Sequence, residues 1–379
     1  MAESIELAIL GGGCAGLSLA RELAMQERKG FRIPKTVIFE PREEYQNDRT
    51  WCFWESIEVP PDSRIRREWA RWNFSSAEGD SFLHDSGQWR YRCLPSGRFY
   101  QDALTSLETS RRIALHTATP VISAQAKGGT NLVKTTLGNL EARMVVDTRP
   151  PEKTSTPLLY QQFIGLELEG KGICTDSESV GLMEEMQVDK NGFLFHYRLP
   201  FSDDCCLLEV TRFTPQPLPL PQMEADLTAA LRAHSLIEAT TTRREEGIIP
   251  MGLPAPEASP GPQWVYAGTR GGAVRPASGY AFQRIQEWAG KCARTLVGKG
   301  SPVPQEPFSR CLDWMDGLFL RVLRNQPELA PLLFMRFARH LSPEQGVRFL
   351  SNQPTLSDQW RVVRSFPAGP FLRQLRLPR

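Results

Sequence analysis

The 379-residue sequence contains no Cys-x-x-Cys pair among its eight cysteines and no grouping of its five histidines. That argues against zinc-ribbon, redox-disulfide and His-ligated metal chemistry, so reduced cysteines and no metal are expected. No apolar run approaches the ~18 residues of a spanning helix. The apolar stretch from Ile9 to Ala20 is interrupted by glycines and preceded by Glu3 and Glu6, the reverse of a secretion signal. A cytoplasmic protein, soluble or lying on a membrane, is therefore expected. Internal repeats are absent too. With 41% hydrophobic and 23% charged residues, disorder is excluded as the bulk state, and the length allows two or three domains.

The net charge of +2 names no partner, but the charge is unevenly spread. Residues 301–379 hold eleven Arg, no Lys and six acids, whereas residues 1–300 carry three more acidic than basic residues. Such a segment suits an anionic membrane surface or a solvated helix face; nucleic acid is disfavoured because the arginines belong to no recognisable binding module.

Ile5–Leu10 reads as a buried strand, followed by Gly11-Gly12-Gly13-Cys14-Ala15-Gly16 and a helix. Residues 35–40 form a second strand ending in the acid Glu40. Glycines between a strand and a helix permit a tight turn and close approach to a pyrophosphate at the helix N-terminus. Glu40 is placed to accept from a ribose 2′-hydroxyl. A third piece comes late: the strand 263–267, then Gly268-Thr269, then Arg275-Pro276-Ala277-Ser278-Gly279-Tyr280 leading into a helix over 281–296. A second set of backbone N–H groups near Gly268, Pro276 and Gly279 favours FAD over NAD. Thr269 stands where flavoprotein hydroxylases usually carry an acid. A bare glycine turn without ligand is the alternative.

Between these pieces, 158–168, 192–199 and 205–213 read as strands of an antiparallel sheet. Residues 222–235 read as a helix, 250–262 as a Pro/Gly-rich connector, and the region after Phe308 as one helix with two shorter ones. The expected fold class is α/β, with a Rossmann-type FAD-binding domain discontinuous over 1–60, 90–155 and 250–300. A substrate sheet domain takes 61–89 and 156–249, and a basic helical region takes 301–379. His196, in the run Phe193–Tyr197, reads as a packed strand residue.

Several motifs in order give the chain a resemblance to the flavin-dependent lycopene cyclases, specifically lycopene beta-cyclases. They are the Gly11–Gly16 loop, Arg49–Trp54, Val146–Pro150, Tyr160–Gly165, Leu207–Thr211, Ile249–Gly252 and Gly271–Tyr280. The resemblance implies a hydroxylase-like flavoprotein fold and FAD active when reduced, with NAD(P)H as external reductant. It also implies an isomerising ring closure on lycopene, a peripheral position on the inner face of the membrane, and Glu209 as the catalytic acid. The chemistry agrees: ring closure needs a proton donated and a proton lost, and a carboxyl buried in an apolar strand stays protonated near neutral pH. The alternative for Glu209 is a structural pair with Arg212. Some cyclases carry a second acid directly after this Glu, where this chain has Val210; neighbouring strand residues point to opposite faces, so that loss is tolerable. Trp51, Phe53 and Trp54, from a family motif, are expected to stabilise a carbocation by about 0.5–2 kcal/mol per ring, or else to be core aromatics. Rival functions are a FAD monooxygenase, a polyprenyl reductase, and a non-catalytic carotenoid-binding flavoprotein.

Overall fold

The apolar run at the N-terminus forms a strand because both of its faces are covered, and the chain is organised outward from it. The structure is a computed structural model and describes residues 5–150, 156–254 and 258–375. In chain order the first elements are β1 (Ile5–Leu10), α1 (Cys14–Arg28), β2 (Thr36–Phe39), β3 (Thr50–Ser56), β4 (Arg67–Trp69), β5 (Arg71–Ser76), β6 (Ser81–Asp85), β7 (Trp89–Pro95) and α2 (Ser96–Glu108). Then come β8 (Ile113–His116), β9 (Val121–Lys127), β10 (Thr130–Thr135), β11 (Gly138–Asp147), β12 (Leu159–Glu169), β13 (Ser179–Asp189), β14 (Gly192–Ser202) and β15 (Cys205–Thr214). The last are α3 (Leu220–Ala233), β16 (Thr240–Met251), β17 (Trp264–Tyr266), α4 (Phe282–Lys299), α5 (Arg310–Asn325), α6 (Ala330–His340), α7 (Pro343–Leu350), α8 (Leu356–Ser365) and α9 (Ala368–Leu375).

The first sheet runs β8-β2-β1-β11-β10-β9, with β17 also pairing β11. Its β8, β2, β1, β11 and β17 are parallel, and β9 and β10 add an antiparallel ribbon. Helices α1, α2 and α4 bury Leu17, Phe99 and Trp288 against it, giving the α/β layering of a Rossmann-type domain. The second sheet runs β16-β12-β15-β14-β13-β5-β6. It is antiparallel throughout except where β13 meets β5 in parallel, a departure from the expected purely antiparallel sheet. Alternation along β15 splits its side chains. Cys206, Leu208 and Val210 pack under α3 with Met223 and Leu227, while Leu207 and Phe213 face the opposite core with Leu320 and Leu333 of the C-terminal helices.

Strands β3, β7 and β4 pair in a third, three-stranded sheet. Thus 50–56 and 89–95, drawn from segments expected in the nucleotide-binding unit and at its border, pair with 67–69 from the expected substrate segment. The C-terminal region is more broken than its pattern suggests: among the described residues, five helices, α5 to α9, and a 3-10 turn at Pro327–Leu329 replace one helix and two short ones. Capping boxes at Ser342 and Thr355 start α7 and α8. A fully buried ion pair, Arg275 Nε to Asp316 at 2.9 Å, ties α5 to the segment before α4, and Arg275 also donates to the Phe349 carbonyl. Pro276–Gly279 does not itself open a helix. Hydrogen bonds from Arg275 N to Tyr280 O and from Gly279 N to Arg275 O close it as a loop, and α4 begins at Phe282.

His196 is buried, its Nδ1 lying 3.0 Å from His234 Nε2, and burial, then the neighbouring His234, push it down to about 4. All eight cysteines are free. Among the described residues no helix is long and apolar enough to cross a membrane, and no cluster of three or more potential ligands could hold a metal ion. Residues 255–257 of the expected connector, and Arg376 and Arg379 of the basic segment, lie outside the described residues.

Candidate active site

The carboxyl ends of β1, β11 and β17 converge at the glycine loop, the crevice where open parallel sheets bind ligands. Gly11 takes φ +99°, a left-handed conformation that side chains disfavour, and an added Cβ would stand 2.9 Å from Thr148 Oγ1. A Cβ on Gly16 would run into the Gly11 carbonyl, so that glycine fixes how closely α1 packs on β1. Above Gly13 the space is open, the nearest atom being Arg42 Nη2 at 3.8 Å. Gly13 is the N-cap of α1, with no side-chain cap and no acid in the first turn, so the helix N-terminus is left to an outside anion.

Gly268, also left-handed at φ +65°, sits against Ala15, a Cβ there lying 3.1 Å from the Ala15 Cβ. Glu40 stands behind the loop: Gly12 N–H donates to its Oε2 at 2.6 Å and Arg42 Nε to its Oε1 at 2.7 Å, while Tyr45 donates to the Gly12 carbonyl. It is braced against the loop and is not among the residues lining the cavity described next.

One continuous cavity of about 1350 Å³ begins at Gly13 and Cys14, passes Trp51, Thr269 and Gly279, and reaches Glu209. It exceeds the ~300–1,000 Å³ of an ordinary small-ligand pocket, so it has room for a cofactor and part of a long second molecule. It continues to Trp314, Val363, Leu372 and Leu375, each about half exposed, which form an apolar rim on the C-terminal helices. The uncapped helix start, the open space over Gly13 and the left-handed Gly279 on the cavity wall fit a dinucleotide cofactor with its pyrophosphate at α1. Pro276 is not on the cavity wall, whereas Gly279 is.

The three motif aromatics are divided by strand alternation. Trp51 and Phe53 turn toward the nucleotide-domain core and stack on Phe282, at 5.2 and 5.3 Å between ring centroids. Trp54 turns the other way, 2% exposed, with its ring 4.6 Å from that of Tyr91 and 5.6 Å from that of Tyr280. All three touch the cavity, but Trp54 alone belongs to the aromatic cluster at the carboxyl end. That cluster holds three phenols, with Tyr91 Oη 2.9 Å from Tyr197 Oη and 3.2 Å from Tyr280 Oη. Burial raises all three well above the ordinary tyrosine range, so they are neutral.

Glu209 pairs in register with Tyr197 on β14 and with Gly165 on β12, facing the cavity. Arg212 is not its partner: it binds Asp189 at 2.8 Å and Asp226 at 2.6 Å. Val210 is fully buried under α3, on the face turned away from the cavity. Burial, and after it the adjacent Glu245, push the Glu209 carboxyl well above its usual range. Glu245 comes from β16, and sequence reasoning missed it because Arg243-Arg244-Glu245-Glu246 reads as a solvated charge run. Only the register of β16 against β12 reveals that Glu245 is 3% exposed and faces inward. Tyr197, Tyr91 and Cys52 were missed for the same reason: no local signal distinguishes them from core.

A family model described as "Lycopene cyclase protein" matches residues 6–376. A lycopene beta-cyclase from Paracoccus sp. is 27% identical over 266 residues, covering 62% of this chain. The match spans 64% of that relative, under two thirds of its length. Among solved structures, a geranylgeranyl bacteriochlorophyll reductase-like protein from Thermoplasma acidophilum superposes with a TM-score of 0.61 at 11% identity, over 99% of this chain and 98% of that one. A p-nitrophenol 4-monooxygenase from Pseudomonas putida superposes with a TM-score of 0.58, also at 11% identity, over 100% of each chain. The fold is that of the monooxygenase- and reductase-type flavoproteins.

Proposed function

Since this chain belongs to the lycopene cyclase family, we propose that it closes beta-ionone rings at the acyclic ends of lycopene, as an intramolecular lyase working by proton addition and proton loss. The observation that carries this reading is a buried carboxyl group, Glu209, on the wall of an apolar cavity that also reaches an uncapped glycine loop, its pKa raised by that burial. A terminal alkene is a poor base, so its protonation needs an acid placed against it in a site free of water. Glu209 donates that proton. The neighbouring double bond attacks the cation, a ring C–C bond forms, and the Glu209 carboxylate takes a proton from a ring carbon. No electrons are gained or lost.

Trp54, Tyr91, Tyr197 and Tyr280 offer ring faces and no free base to the cation, each face worth about 0.5–2 kcal/mol. Their phenols are hydrogen-bonded to one another, which limits water and nucleophilic capture near the acid. Gly13 and Gly279, on the cavity wall, are the residues that would contact FAD, while Gly11, Gly16, Gly268 and Ala15 shape the turn by close packing and Glu40 braces the loop. FAD bound there and reduced by NAD(P)H would supply negative charge to the site without net electron transfer.

Lycopene is a hydrocarbon of the bilayer interior, so the apolar rim of Trp314, Val363, Leu372 and Leu375 is the entrance we assign to it. Trp360 and Leu356 stand exposed beside that rim on α8, with Arg361, Arg364 and Arg373 on the same helices, a composition suited to an anionic lipid surface. That supports a peripheral position on the cytoplasmic face of the membrane.

The test is to reduce the flavin-loaded protein without oxygen and supply lycopene in anionic liposomes. The expected product has unchanged mass and an earlier or later retention time. A product with added oxygen after admission of air would make the protein a monooxygenase, and one with added hydrogens a polyprenyl reductase. Lycopene bound but unaltered would leave a carotenoid-binding role.

A further inference from the structure

Three strands of the second sheet bring a second carboxyl group to Glu209. Strand β12 lies between β15 and β16, and one residue of β12, Gly165, is in register with Glu209 on one side and with Glu245 on the other. Residues directly paired across strands share a face of the sheet, so both carboxyl groups rise from the cavity side. Strands two apart are separated by about 9–10 Å, and an intervening side chain would keep their carboxyls apart. Here there is none. The Glu209 side chain lies across Gly165, where an added Cβ would collide with Glu209 Cγ and stand 3.2 Å from its Cβ.

Glu245 is fixed from its far side. Thr50 Oγ1 donates to Glu245 Oε2 at 2.8 Å, and the Arg243 guanidinium contacts the same oxygen while donating to Thr50 Oγ1 at 2.9 Å. Arg243 also binds Glu167 at 3.0 Å, and Glu167 binds Arg66 at 2.7 Å. Two guanidiniums and two carboxylates therefore balance, and the cluster is neutral only while Glu209 keeps its proton. The other groups turned toward Glu209 are Tyr197 on β14, Cys52 on β3 and Cys93 on β7, and burial raises the Tyr197 phenol and the Cys52 thiol well above their ordinary ranges.

We propose that Glu209 and Glu245 act as one proton-holding pair meeting across Gly165, with Glu209 delivering the proton to the substrate and Glu245 acting as the positioning residue that keeps it on Glu209 between turnovers. This rests on the reading of Glu209 as the acid of ring closure. In each cycle the Glu209 O–H bond breaks as a C–H bond forms on the alkene, and the pair passes from one negative charge to two while the substrate carries one positive charge. A ring C–H bond then breaks and its proton returns to Glu209, which restores both. Burial opposes ionisation of Glu245, but the hydrogen bond from Glu209, Arg243 and Thr50 outweigh it and leave Glu245 below its ordinary range. The pair thus supplies, from a strand two away in the sheet, the second acid that Val210 does not.

The test is infrared titration of the protonated-carboxyl C=O band in the flavin-loaded protein without carotenoid, with flavin content and melting temperature as controls of folding. The band is expected in the wild type at neutral pH and absent in Glu209→Gln. In Glu245→Gln it persists, but its titration midpoint falls by about one to three pH units, the size of shift that a single neighbouring charge produces, and the alkaline limb of turnover moves with it. Gly165→Ala, which forces the carboxyls apart, moves the midpoint in the same direction. An unchanged midpoint in Glu245→Gln would overturn the pair, as would a band that survives Glu209→Gln. If the band shifts as expected while lycopene is left unaltered, the pair stands and the cyclase reading fails; if lycopene is cyclised with a fixed midpoint, the reverse holds.

Discussion

Replacing Glu209 with Gln is expected to lower ring closure by about 10²–10⁴-fold, the usual contribution of a positioned general acid, with flavin content unchanged. Gln keeps the volume and a hydrogen-bonding oxygen for the surrounding cluster but has no transferable proton. Since Glu209 is already neutral, the substitution removes no charge, and the protein's melting temperature should hold. The wild-type pH profile follows from the same group. The carboxyl lies well above its ordinary range because of burial and then Glu245, so the competent acid form persists through acidic and neutral pH. Turnover falls only as pH rises through that raised value, and Glu209→Gln should erase this limb. Steady-state turnover across pH, on matched flavin-loaded samples, checks both points. A Glu209→Gln enzyme within threefold of wild type would remove Glu209 from the chemistry.

The second large effect belongs to the glycine loop. Gly13→Val is expected to give a folded protein that retains essentially no FAD, read from the visible spectrum after purification. Gly13 has φ −74° and ψ −164°, an extended conformation that valine adopts readily, and open space lies above it. The added side chain therefore costs the fold little and fills the approach to the α1 N-terminus. Gly16→Val is the contrast: its side chain meets the Gly11 carbonyl, so α1 cannot seat on β1, and loss of soluble folded protein is expected rather than clean loss of cofactor. Full flavin retention in Gly13→Val would displace the cofactor from this loop.

The parts legible in the sequence are those whose physics is local. Ile5–Leu10 is legible with its observed limits because a largely apolar run, broken only by Glu6, before three glycines admits little else. The strand holding Glu209 was also evident from Cys205 to Phe213, one residue short of its end. Val210 was correctly expected to face away from Glu209, since strand alternation depends only on sequence parity. What escaped depends on register between distant strands. Glu245 lies 36 positions from Glu209 in the numbering, and its inward orientation exists only because β16 pairs with β12. Gly165 was inside a motif, but its role as a gap between two carboxyls needs both neighbours. The division of Trp51 and Phe53 from Trp54 was readable from alternation along β3, yet which face met Glu209 was not. The number of C-terminal helices was misjudged because capping at Ser342 and Thr355 divides a stretch whose helical periodicity looks longer.

The most direct test of proton-driven closure is a single-turnover reaction in D₂O, with reduced flavin-loaded enzyme in molar excess over lycopene so that every acid acts from its deuterated state. Proton addition from an exchangeable carboxyl followed by loss of a carbon-bound hydrogen predicts one deuterium retained on a ring carbon for each ring formed, and Glu209→Gln should abolish product and label together. A cyclised product carrying no carbon-bound deuterium would contradict the account.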